Sequence, residues 1–163
     1  MRFKIAASLA IGAASSLNAQ AEPSAPVQST APAIADFSTA TPVAGNWIYS
    51  SANGVSEATF MSSTAQPQLT IRCAIAARRI TLSKPAQAAA PFLNIWTSSQ
   101  SRSLPAGFIA STARLNVEIS AYDPLLDGIA FSRGRIAISV TGQPPLVVPV
   151  WAEAARVIED CRS

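Results

Sequence analysis

Two cysteines, set in two different periodicities, constrain this chain most. Residues Gln68 to Ala74 alternate, with Leu69, Ile71 and Cys73 on one side and Thr70, Arg72 and Ala74 on the other. Period-two alternation marks a strand with one buried face. The last fifteen residues, Pro149 to Ser163, change period. There Trp151, Ala154, Ala155, Ile158 and Cys161 follow the spacing of one helical face, while Glu153, Arg156, Glu159 and Asp160 fall mostly on the others. Pro149 precedes the helix, where a missing N–H costs little. Glu153 suits the dipole of the first turn, and Arg156 is spaced to pair with Asp160. Both thiols thus point inward from elements far apart in the chain.

Whether they join depends on the compartment. Met1-Arg2-Phe3-Lys4 is a short basic start, Ile5 to Leu17 carries no charge, and Ala19-Gln20-Ala21 offers a small-x-small cleavage site. Residues 1–21 therefore read as a secretory signal peptide, with cleavage expected after Ala21. The apolar run is too short to span a bilayer. No cysteine follows the site as in a lipoprotein, and no Arg-Arg pair marks a twin-arginine signal. The expected destination is an oxidising periplasm, where two cysteines most often form one disulfide. A Cys73–Cys161 bridge is expected.

Export also changes the charge. The whole chain carries twelve Lys and Arg against nine Asp and Glu. Without Arg2 and Lys4 the excess falls to one. No clustered basic face points to a nucleic-acid partner, and no later stretch is long and apolar enough to span a membrane.

Residues 22–44 hold Pro23, Pro26, Pro32 and Pro42 among Ala, Ser, Thr and Gln. This is linker composition, too poor in apolar surface to order itself. Ile34 and Phe37 are sizeable exceptions that could dock an extended piece onto the domain. The globular domain is expected over 45–163.

That domain reads as short strands. Asn46 to Ser50 leads into Asn53-Gly54, a strong hairpin turn, with Glu57 to Ser62 as its partner. Gln68 to Ala74 pairs with a return strand at Arg78 to Ser83. Phe92 to Ser98, Arg114 to Ala121, Ile136 to Val140 and Leu146 to Val148 complete the set, and Ser98 to Ser103 reads as exposed and polar. Asp123-Pro124 is a good N-cap and first residue for a short helix over Leu125, Leu126, Ile129 and Ala130, weakened by Gly128. The sum is a mainly β fold, an antiparallel sandwich or half-open barrel with a short helix and a C-terminal helix packed on it.

The chemistry is defined by what is missing. There is no histidine, which removes the Ser-His-Asp and Cys-His systems and the usual zinc and copper ligand sets. Position 81 is threonine, so Lys84 has no Ser-x-x-Lys partner, and no nucleotide or nucleophile-elbow motif is present. Asp123 and Asp127 are spaced for acid–base work, though capping and solvation account for them better. No catalytic residue, metal or cofactor is expected. Ser132-Arg133-Gly134-Arg135 could offer fork-shaped donors to an anion. The alternative is that Arg133 and Arg135 pair with Asp127, Glu159 or Asp160 and hold the turn against the final helix. Trp47, Trp96 and Trp151 could stack sugars, but core packing suits each better. The candidate ligand residues are therefore Arg133, Arg135 and Trp151.

The tail Pro149-x-Trp151-x-Glu153-x-x-Arg156-Val157-Ile158-Glu159-Asp160-Cys161-Arg162, with Leu125-Leu126-Asp127 and Ser132 to Arg135, resembles a family of small exported alphaproteobacterial proteins of uncharacterised function. The resemblance covers roughly residues 45–162. The Gly45-x-Trp47 opening and a later strand cysteine are similar to invasion-associated locus B-like periplasmic proteins. Neither resemblance supplies catalytic residues. The expected function is a non-enzymatic, disulfide-stabilised module that engages another protein or an envelope component. The alternative is an anionic-ligand or glycan-binding domain, and a carboxylate-dependent hydrolase comes last.

Overall fold

The computed structural model describes residues 34–163. The expected signal peptide and residues 22–33 of the expected linker lie outside the described residues. Ten strands and two α-helices follow in the order β1 (Gly45–Ala52), β2 (Val55–Ser62), β3 (Pro67–Ala74), β4 (Arg79–Pro85), β5 (Phe92–Trp96), β6 (Ser101–Pro105), β7 (Gly107–Ile109), β8 (Arg114–Ser120), α1 (Pro124–Ala130), β9 (Arg135–Ser139), β10 (Leu146–Pro149) and α2 (Ala152–Arg162). They form two antiparallel sheets, β1-β2-β3-β4-β8-β7 and β10-β9-β5-β6. The architecture is a β-sandwich with a C-terminal helix.

Local chemistry explains the first hairpin. Asn53 and Gly54 both have positive φ, 53° and 74°, the backbone a two-residue turn needs to match strand twist. The turn sets the register Ala52↔Val55 and, at the eighth pair, Gly45↔Ser62. Gly45 is required there for space. A Cβ on it would lie 2.1 Å from the Met61 carbonyl oxygen and 2.7 Å from the Phe60 ring. Because the nearer obstacle is backbone, Gly45→Ala is expected to cost about 1–3 kcal/mol, read as a lower urea midpoint.

The inward positions of β2, β3, β4 and β8 (Phe60, Leu69, Ile71, Cys73, Ile80, Leu82, Leu115, Val117) are buried in one cluster with Leu93, Ile95, Ile136 and Ile138 of the second sheet. α2 joins the same cluster through Ala154, Val157, Ile158 and Cys161. Cys73 and Cys161 are both fully buried and form a disulfide with a sequence separation of 88. Asp123 caps α1, its side chain accepting from the Leu125 N–H at 2.8 Å, with Pro124 at the first position.

Several expectations are corrected. Ser98 to Ser103, expected to be exposed and polar with no strand in it, begins strand β6 (Ser101–Pro105) in its second half, paired with β5; the polar residues of β6 suit a sheet edge, and only Leu104 is buried there. The three-residue β7 carries too short a pattern to be read. Trp151 is not in the core but 43 % exposed, because α2 starts after it and its backbone is extended (φ −122°, ψ 169°). Arg156 does not pair with Asp160. Its guanidinium lies 4.4 Å from the Tyr49 ring centre, and the Tyr49 hydroxyl donates to Asp160 at 2.6 Å.

Residues 34–44, linker-like in composition, dock onto the domain through Ile34 and Phe37, as those two apolar side chains allowed. Ile34, Phe37 and Ala40 pack on Trp96, Ala137 and Val147, on the side of the four-stranded sheet turned away from the main core. Phe37 meets Trp96 edge-on at 6.2 Å, and the Val43 N–H donates to the Val147 carbonyl at 2.8 Å. Apolar burial of these side chains and the backbone hydrogen bond together seat the segment. With both faces covered, Ile136, Ala137 and Ile138 of β9 are apolar and buried in succession. Among the described residues, no helix is long and apolar enough to cross a membrane.

Candidate functional site

Three of the four sheet faces are covered: the two facing the core, and the back of the four-stranded sheet under residues 34–40. The fourth is the outer face of the six-stranded sheet. Register places its side chains in rows. Glu57, Arg72, Thr81 and Glu118 are successive cross-strand partners, as are Thr59, Thr70, Ser83 and Asn116, the latter row ending at Gly107. Every residue named in the two rows is polar or glycine, as expected where strands alternate an apolar inside with a solvated outside.

The face forms a groove of about 550 Å³, walled at one side by Gly107, Phe108 and Ile109. A volume of this order suits a small ligand. Arg114, half-buried, lies in it. Its Nε donates to Ser83 Oγ at 2.6 Å, and its Nη2 donates to the Ser83 carbonyl at 2.9 Å and to Thr70 Oγ1 at 3.2 Å. The Ser83 hydroxyl in turn donates to Asn116 Oδ1 at 2.6 Å, and Thr70 shares a 3.1 Å hydrogen bond with Thr59.

The electrostatics of this group follow from its partners. Four ion pairs are present among the described residues: Arg72–Glu57 at 3.8 Å, Arg79–Glu118 at 3.9 Å, Arg102–Asp123 at 2.5 Å and Arg162–Asp127 at 2.7 Å. Arg114 is in none of them. Every acceptor named on it is neutral, and its Nη1 has no hydrogen-bond partner among the described residues. Burial lowers its pKa, with the charge of Glu57 acting in the opposite direction, and an arginine still keeps its proton at neutral pH. The result is an oriented, partly desolvated fork with its charge left uncompensated by direct contact. Such a fork suits a carboxylate or phosphate.

The residues singled out from the sequence are placed elsewhere and apart in role. Arg133 is exposed at the rim of a bowl of about 580 Å³ lined by Asp36, Ser38, Trp96 and residues 97–101. Its backbone N–H donates to Ser98 Oγ at 2.9 Å. Arg135 instead donates through Nη1 to the Ala40 carbonyl and fastens the N-terminal segment. Trp151 stands at the start of α2 and lines neither depression. Trp47 and Trp96 are buried in separate clusters, so the three tryptophans make no stacking platform. Neither arginine pairs with an acid of the final helix. Asp127 is taken by Arg162, whose Nε also donates to the Ala121 carbonyl at 2.8 Å. Asp123 is taken by Arg102 and by its capping bond.

Sequence reasoning missed Arg114, which it placed only as the first residue of the strand Arg114 to Ala121. The available signal was the shared polarity of the outward sides of four strands. No protein-family model, curated protein or solved structure matches this chain.

Proposed function

We propose that this protein is an exported, non-enzymatic binding domain that holds an acidic component of the cell envelope in the groove around Arg114. The observation that carries the reading is a half-buried guanidinium held in place by Ser83 and Thr70, with no carboxylate partner among the described residues. The hydroxyl and amide row of Thr59, Thr70, Ser83 and Asn116 adds donors and acceptors of the kind that recognise a hydroxylated ligand. The disulfide is compatible with an exported protein. The bland account of Arg114 is a staple between β4 and its neighbours, and it makes a different prediction.

Acidic envelope oligosaccharides titrated into the mature protein are expected to bind saturably. A charge-assisted hydrogen bond is worth about 1.5–3 kcal/mol, so Arg114→Ala should weaken binding by roughly 10- to 150-fold. Arg114→Lys should recover only part of the loss, because it keeps the charge but not the fork. Arg133→Ala should leave affinity unchanged. Equal binding by Arg114→Ala and the parent would reduce Arg114 to a structural staple.

A second reading, a protein partner, is favoured by two exposed aromatics flanking the 132–135 turn. Phe131 is 80 % exposed at its start. Trp151 follows Val150, whose N–H reaches the Gly134 carbonyl. Crosslinking in envelope extracts with Phe131→Ser as control distinguishes it: a partner lost in that variant but kept in Arg114→Ala supports this surface over the groove.

A further inference from the structure

Lys84 is the only lysine after Lys4. On β4 it continues the inward side of the strand, following Ile80 and Leu82, and its cross-strand partner is the buried Leu115. That direction takes the side chain to one end of the sandwich, not to the outer face that carries Arg114. There Pro85, Ala86, Ala113, Gln143 and Pro144 line a cavity of about 500 Å³ with it. The walls come from the β4–β5 connection, the residue before β8 and the β9–β10 turn.

The lysine is poorly matched by its surroundings. Its Nζ donates to the Pro85 carbonyl at 3.3 Å and to Gln143 Oε1 at 3.4 Å, both long and both neutral acceptors. It belongs to no ion pair among the described residues. Burial lowers its pKa, as expected for a cation removed from water without a counter-charge. A leucine or methionine would continue the apolar side of β4 without this desolvation cost. The fold therefore does not need a cation here, whereas a ligand with an acidic head and an apolar body would.

We propose that this cavity binds a small apolar monocarboxylic acid, its carboxylate on the Lys84 ammonium and its hydrocarbon body against Pro85, Ala86, Ala113 and Pro144. The carboxylate supplies the missing counter-charge, and the apolar walls supply burial for the chain. The site is independent of the Arg114 groove, which faces away on the other side of β4.

The test uses the mature, disulfide-intact protein titrated with octanoate by calorimetry, with methyl octanoate and acetate as probes of head and tail. Octanoate is expected to bind saturably, and both comparison compounds at least tenfold more weakly. Lys84→Met should lose at least tenfold in octanoate affinity, and Lys84→Gln reads the same loss should the methionine variant not fold. Arg114→Ala should bind octanoate as the parent does, which separates this site from the groove. Absence of saturable octanoate binding, equal affinity for the methyl ester, or undiminished affinity in the lysine variants would each overturn the proposal.

Discussion

Replacing Cys73 and Cys161 together by alanine is expected to lower the free energy of unfolding by about 4–5 kcal/mol, the chain-entropy value for a loop of this length. The loop spans 88 residues and closes strand β3 onto helix α2. Both positions are fully buried, so alanine is preferred to serine, whose hydroxyl would need a partner there. The denatured chain, released from its cross-link, exposes more surface, so the dependence on urea should also steepen. Hydrogen exchange should locate the effect: amides of α2 lose protection before those of β3 and β4, because the helix is joined to the sheets by side chains and the bridge and not by a backbone ladder. A change below about 1 kcal/mol would show that packing and the polar contacts of Asp160 and Arg162 hold α2 without the bridge, since even modest native disulfides usually contribute about 2 kcal/mol or more.

Phe60→Ala is the second large effect, at about 3–5 kcal/mol for a buried phenylalanine. Phe60 is fully buried on β2 and meets Trp47 edge-on at 5.5 Å. Trp47 in turn donates from Nε1 to the Pro149 carbonyl at 2.8 Å. That bond ties β1 of the six-stranded sheet to the end of β10, just before α2. Removing the ring opens a void beneath the tryptophan. A lower urea midpoint should therefore come with altered Trp47 fluorescence, while the Arg114 groove, on the opposite side of the sheet, keeps its affinity. A loss under about 1 kcal/mol would mean that the surrounding core closes over the space.

The elements that were legible share one property: their signal is local. Leu69, Ile71 and Cys73 alternate within a single strand, and Asn53-Gly54 carries its turn in two residues. Asp123-Pro124 likewise carries a helix start. β6 was not legible because Ser101, Arg102 and Ser103 find partners across the sheet edge instead of in the core. Trp151 was misjudged because the helical spacing was extended one residue past the true start of α2, where it no longer dictates direction. The Ser132–Arg135 turn was expected against the last helix. Its Arg135 went instead to the N-terminal segment, which composition had assigned to a linker.

The candidate site shows the same division. Of the residues around the groove, the alternation of Gln68 to Ala74 put Thr70 on an outward side, while Thr59, Ser83, Arg114 and Asn116 were placed only within their strands. That β4 lies beside β8, bringing Ser83 opposite Asn116 and close to Arg114, depends on a pairing across a long separation that no local pattern encodes.

The sequence by itself determined which side of the Gln68–Ala74 strand is apolar, that both cysteines face inward, and where the first hairpin turns. These follow from side-chain period and backbone preference, which act over a few residues. Only the tertiary structure decided which apolar sides meet, that residues 34–40 cover the back of the four-stranded sheet, and that the outer face of the six-stranded sheet stays open. Burial is a property of pairs of surfaces, so the face left uncovered is known only once every other surface has found its partner.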